Sequence, residues 1–168
     1  MDTLAAWKRA VDDPQLHDLP YKVETNEFGQ LVLSPTKFYH TGYQSRIHES
    51  LIEFLGDRGN CYEELAVETS RGVKVPDVAW ISSERLTTFS EDVYALPVAP
   101  EICVEVYSES NTEAEMMTKR RLYFERGAEE VWTCDREGRL RFFDPDGEID
   151  RSRLARDFPR QIAGPMPH

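Results

Sequence analysis

The sequence predicts an α/β domain, one β-sheet with helices available for both of its faces. Two segments, from about Phe38 to Leu55 and from Ser110 to Arg126, repeat apolar residues at helical spacing. Between and after them lie short runs rich in Val, Ile and aromatic residues, bounded by Gly and Pro. The order helix, three or four strands, helix, strand, strand then gives the class.

In chain order, residues 3–11 form a short amphipathic helix carrying Leu4, Trp7 and Val11. "YKVETNEFGQLVLSP" reads as a hairpin, with Asn26 to Gly29 as its turn and Pro35 closing the second strand. The next helix shows Tyr43, Ile47, Leu51, Phe54 and Leu55 on one arc, and Gly56 ends it. Two strands follow, Tyr62–Thr69 and Val73–Ile81, joined by the tight "SRG". Residues 82–99 have no clear period and read as a loop with a short helix. A strand at 101–108 comes next. Ser110-x-x-Glu113 has the form of a capping box for a helix that stops at Gly127. The strands "EVWTCD" and "RLRFFD" flank the turn "REG". The arginine-rich tail after "DPDG" is open to three arrangements: draped over the surface, paired as an edge, or mobile. No repeat or linker divides the chain, so residues 1–168 read as a single domain, with a core at about 34–144 and a tail at 145–168.

The composition, 40% hydrophobic and 30% charged over 168 residues, is that of a globular protein. No run of about twenty apolar residues offers a membrane span, and "MDTLAAWKRAVDD" lacks a signal-peptide core, so a cytoplasmic location is expected. Cys61, Cys103 and Cys134 have neither CxxC nor zinc-ligand spacing and read as buried free thiols. The net charge of −11 argues against indiscriminate adhesion to nucleic acid or anionic membrane. A nucleic-acid partner would have to be held by few phosphate contacts or through bound metal.

Two carboxylates stand out. In "EICVEVYSES", Glu105 sits within an apolar run, where an ionised side chain is costly to bury without a partner. In "VKVPDVAWI", alternation puts Val73, Val75, Asp77, Ala79 and Ile81 on one side of a strand. A strand carboxylate is as often an exposed edge residue or an arginine partner as a ligand. Two on successive strands would repel each other, and a hard divalent cation removes that penalty. Met116, Lys119 and Tyr123 share an arc of the following helix, which can bring a lysine to the carboxylates. A competing stripe through Met117, Arg120 and Phe124 leaves Lys119 at its margin, and periodicity leaves both open.

The pattern Ser34-Pro35-x4-His40, Pro76-Asp77, Glu105-Val106-x-Ser108-x-Ser110-Asn111 and Lys119-x3-Tyr123-x3-Gly127-Ala128-x-Glu130-x-Trp132 resembles the Uma-type restriction endonuclease family. That family is a branch of the PD-(D/E)XK nuclease superfamily, and the match runs from about Ser34 to Phe143. The resemblance implies a restriction-endonuclease-like core with a mixed central sheet. It makes Asp77 the aspartate of the PD motif and Glu105 the acid of the (D/E)XK element, both metal ligands. Val106-Tyr107 departs from the pattern by lacking the strand lysine, and Lys119 on the next helix matches in its place. The implied activity is hydrolysis of phosphodiester bonds in DNA with magnesium or manganese as cofactor. The alternative is a catalytically silent binding or regulatory module on the same fold. His40 and Gln44 match the family's H-x3-Q and, with Tyr123, are accessory candidates.

Other residues carry weaker expectations. Glu64 and Glu68 read as a solvent-facing edge, with a third carboxylate as the minority reading; His17, His48 and His168 read as solvated, and Trp80 and Trp132 as core. Lys119, Arg120 and Arg121 fall on different helix faces, and the tail arginines are balanced by Glu148, Asp150 and Asp157. A homodimer could form through the edge of the 21–34 hairpin or of the last strands.

Overall fold

The computed structural model describes residues 2–165, so His168 lies outside the described residues. Helix α1 (Thr3–Asp12) is capped by the Asp2 carboxylate, which accepts from Leu4 and Ala5 N–H. Strands β1 (Tyr21–Thr25) and β2 (Leu31–Pro35) form the expected hairpin, which stands as its own two-stranded ribbon. Helix α2 (Phe38–Leu55) stops where Gly56 takes a φ of 55°.

The two long strands expected at 62–69 and 73–81 are each broken. They give β3 (Gly59–Glu63), β4 (Val67–Thr69), β5 (Gly72–Lys74) and β6 (Val78–Ser82). The cause is visible on both arms of this bent hairpin. Pro76 has no N–H to give to a ladder, and Glu64 opposite the bend takes a φ of 53°. β3 and β6 stay in the main sheet while β4 and β5 peel away as a second small ribbon.

The short helix α3 (Ser83–Leu86) follows, then β7 (Ile102–Val106), α4 (Glu113–Glu125), β8 (Glu130–Cys134) and β9 (Leu140–Asp144). The capping box of α4 is Thr112 with Glu115, two residues later than the sequence reading. Ser110 is not free to cap, because the Ser108–Asn111 turn engages its hydroxyl.

Among the described residues the main sheet has six strands in the order β10-β9-β8-β7-β6-β3, with β10 at Gly147–Ile149. Only β7 and β8 run parallel, joined by α4 as the crossover; the other neighbours are antiparallel. One face packs Val78, Trp80, Val104, Val106 and Trp132 against Ile47, Leu51 and Leu55 of α2. The other sets Cys103 and Val131 against Tyr123 of α4. A third cluster joins Trp7 of α1 to Val73 and Val75 under the small ribbon.

The tail pairs as an edge through β10 and then drapes over the α2 side of the sheet. Leu140 N–H donates to Arg160 C=O at 2.7 Å, and the Phe158 ring lies 4.7 Å from the Trp132 indole. Glu130, 2% exposed at the start of β8, fixes this drape. Its carboxylate accepts from Trp132 Nε1 at 2.8 Å, Ser152 Oγ at 2.7 Å, Arg153 N at 2.7 Å and Leu154 N at 3.2 Å. Glu130→Ala is expected to lower the unfolding free energy by about 3 kcal/mol, because four donors, two of them in fully buried bonds, lose one charged acceptor. Urea denaturation measures this, and a loss under about 1 kcal/mol would contradict the role given to Glu130.

Candidate functional site: three carboxylates and two lysines

Continuing the register in which Val78 faces Val104 and Ala79 faces Cys103 sets Asp77 opposite Glu105. The sequence reading placed Asp77 within a continuous strand. Asp77 lies instead in the bend before β6, and its parity with Ala79 survives while that with Val73 and Val75 does not. The bend lets the side chain take over a ladder position. Asp77 Oδ2 accepts the Val106 N–H at 2.7 Å, tying the start of β6 to the end of β7.

Around this pair the structure gathers Lys119 and Tyr123 from α4, and Lys22 and Glu24 from β1. Of the two stripes weighed for α4, the one through Met116 and Tyr123 is buried, and Met117 is exposed. Lys119 Nζ donates to Glu105 Oε1 at 3.3 Å and to Glu24 Oε1 at 2.9 Å. Tyr123 donates its hydroxyl to Glu105 Oε1 at 2.6 Å. Lys22 Nζ bridges the two expected acids, 2.9 Å from Asp77 Oδ1 and 3.2 Å from Glu105 Oε2.

Lys22 and Glu24 were absent from the sequence reading. Alternation puts them on one face of β1, and a two-stranded ribbon ordinarily turns such a face to water. Here both faces are covered, since Val23 packs with Trp7, Val73 and Val75 on the other side. The one available signal was a lysine and a glutamate two residues apart on a strand. Three contacts hold β1 in place. Val73 N–H donates to Thr25 Oγ1 at 2.8 Å, Val75 N–H to Glu24 Oε1 at 2.8 Å, and Lys74 Nζ to Thr25 C=O at 2.8 Å. Gly72, with a φ of 88°, permits this approach, for a Cβ there would stand 2.5 Å from the carbonyl oxygens of Thr25 and Asn26.

Three carboxylates thus face two ammonium groups. Burial would raise Asp77, but Lys22 and then His40 hold it well below the ordinary carboxylate range. Glu24 is likewise lowered: burial opposes ionisation and the charges of Lys119 and Lys22 override it. Glu105 moves the other way, raised by burial and by Asp77 and Glu24 despite both lysines. Glu105 is therefore the carboxylate of the cluster that most readily takes up a proton. Burial would lower Lys22, yet Asp77, Glu105 and Glu24 hold its ammonium well above 10.5.

His40 Nε2 lies 3.3 Å from Asp77 Oδ2, and its buried Nδ1 has no hydrogen-bond partner among the described residues. Gln44 is placed against Glu63, at 3.5 Å, and has no polar contact with Asp77 or Glu105 among the described residues. Glu64 is exposed and Glu68 half-buried, so the third carboxylate is Glu24 rather than either of these. His48 is not simply solvated, since it meets Glu63 Oε1 at 3.2 Å and Cys61 C=O at 3.3 Å. His17 is exposed and bonded to Val11 C=O. The cluster opens at Glu24 and Lys119 into a cleft of about 560 Å³ between β2, the β4–β5 turn and the start of α4, with Arg71 and Lys74 on its wall.

The donor chemistry of Asp77 and Glu105, hard carboxylate oxygens, suits magnesium or manganese. Among the described residues no group of three or more His, Cys, Asp or Glu is arranged to hold a metal ion. The position between the two carboxylates belongs to Lys22 Nζ.

No curated protein matches the sequence. A crystal structure of a putative nuclease belonging to DUF820 from Anabaena variabilis superposes with a TM-score of 0.69 at 15% identity, covering 83% of this chain and 86% of that one. At that identity the likeness is one of fold. A DNA complex of DrdV gives a TM-score of 0.44 at 11% identity, over 90% of this chain and 12% of that one. No helix among the described residues is long and apolar enough to cross a membrane. The model of the Uma2 family, described as "Putative restriction endonuclease", matches residues 13–162, and the chain belongs to that family.

Proposed function

We propose that the protein is a metal-dependent endonuclease that hydrolyses phosphodiester bonds in DNA, with Asp77 and Glu105 as metal ligands and Lys119 as the catalytic lysine. The observation that carries this reading is the convergence of Asp77, Glu105 and Lys119 in a buried cluster that opens into a cleft at Lys119, in a chain of a restriction endonuclease family. A bound magnesium or manganese ion would polarise a phosphate oxygen and lower the pKa of a water molecule. The chain supplies the rest. Lys119 is the one of the two lysines that reaches the cleft, where its charge can meet a phosphate. Glu24 and Glu105 hold Lys119 in that place, and the Tyr123 hydroxyl fixes the rotamer of Glu105. His40 and the Val106 amide do the same for Asp77. Gln44, whose partner is Glu63, serves at most to support the α2 side. A second reading, a catalytically silent module, is favoured by one observation: a lysine already occupies the space between the two carboxylates.

The charges also set the pH response. Asp77 and Glu24 ionise below their ordinary values when folded, so each contributes stability that is present above about pH 4 and is lost as pH falls through the depressed folded value. Glu105 has the opposite sign, since its raised value makes protonation easier in the folded chain. The raised Lys22 contributes fully below 10.5, and its share is lost only as pH rises through its folded value.

Asp77→Ala or Glu105→Ala is expected to lower cleavage of single-stranded, duplex or structured DNA in magnesium or manganese by at least about a hundredfold. Wild-type cleavage persisting in excess chelator would overturn the scheme, and a wild type that neither binds manganese nor cleaves would favour the silent module. Independently of activity, the stability difference between wild type and Asp77→Asn, followed by urea denaturation in chelator, is expected to shrink as pH falls below about 4. A difference that stays constant down to pH 2 would show that the Asp77 charge does not stabilise the fold.

A further inference from the structure

Lys22 is the least expected member of the cluster, and its position has a chemical consequence. Each oxygen of the two central carboxylates has a donor. Asp77 Oδ2 faces the Val106 amide and His40, and Glu105 Oε1 faces Lys119 and Tyr123. The two oxygens that point into the shared space, Asp77 Oδ1 and Glu105 Oε2, are both taken by Lys22 Nζ.

We propose that Lys22 is an internal counter-cation that a divalent metal must displace, so that the ammonium and the metal occupy the Asp77–Glu105 pair in alternation. The proposal rests on the metal-dependent reading above. Charge balance supports the exchange. With Lys22 in place the three carboxylates exceed the two ammonium groups by one charge. A dication added beside Lys22 would reverse the imbalance, whereas a dication in its place leaves the cluster neutral. Two cations at one carboxylate pair also repel each other strongly in a buried setting. The geometry suits a movable group, because a lysine carries a point charge on a flexible four-carbon stem and can leave while β1 stays anchored through Thr25 and Glu24. In the resting protein Lys22 thereby removes the repulsion that would otherwise open the site, and it sets a threshold for metal binding.

The test is a calorimetric titration with manganese of the wild type, Lys22→Met and the double variant Lys22→Met/Asp77→Asn. Lys22→Met is expected to bind at least about tenfold more tightly than wild type, and the double variant to lose that gain. A second measurement uses wild type alone, in case Lys22→Met fails to fold without metal. Amine acetylation read by mass spectrometry is expected to spare Lys22 in chelator and to modify it in saturating manganese. Equal or weaker binding by Lys22→Met, or Lys22 protected in manganese-saturated wild type, overturns the exchange. Tighter binding by Lys22→Met with no cleavage by any form upholds the exchange and removes the nuclease reading. Cleavage by wild type with unchanged affinity in Lys22→Met does the reverse, and absence of manganese binding in every form overturns both.

Discussion

An ammonium group held between two buried carboxylates is the interaction on which the architecture turns. Asp77 and Glu105 stand opposite each other on neighbouring strands, 1% and 2% exposed, and unpaired they would force the sheet apart or take up protons. Lys22 resolves this from a segment that is not part of the main sheet. The β1–β2 ribbon is therefore more than an appendage: without it a charged pair in the centre of the fold loses its counter-ion. Breaking such a pair by removing one member typically costs about 3–5 kcal/mol, a large share of the stability of an ordinary domain.

The bend in the 59–82 hairpin belongs to the same design. Pro76 ends the ladder and Asp77 restores it with a side chain, so that one residue both closes the main sheet and holds Lys22 in the buried cluster. The peeled ribbon of β4 and β5 then supplies the amides that anchor β1. Structural continuity and site geometry thus pass through the same few residues.

Helix α2 was legible because its apolar arc is regular and Gly56 closes it. Asp77 and Glu105 were legible because charge inside an apolar period is itself a signal, whereas periodicity left Lys119 between two helix stripes and only the motif resemblance singled it out. Lys22 and Glu24 were hidden for the converse reason: in "YKVET" alternating charge looks like a solvated face, and only the tertiary position of the ribbon buries it. The tail was obscured by its arginines, although Ala155, Phe158 and Ile162 recur at three- and four-residue intervals and all three are buried. The fold class and the motif acids depend on local pattern, while Lys22 and Glu24 meet Asp77, Glu105 and Lys119 across 55, 83 and 95 residues of chain.

Glu130 adds a different kind of consequence. It opens β8, an interior strand of the sheet, yet three of its four donors come from Ser152, Arg153 and Leu154. During synthesis, which proceeds from the N-terminus, that carboxylate waits for partners more than twenty residues further along. A chain cut short before Ser152 would leave that carboxylate with Trp132 Nε1 as the one remaining donor of the four. The last-made part of the chain thus supplies most of the donors for a carboxylate in an interior strand of the sheet.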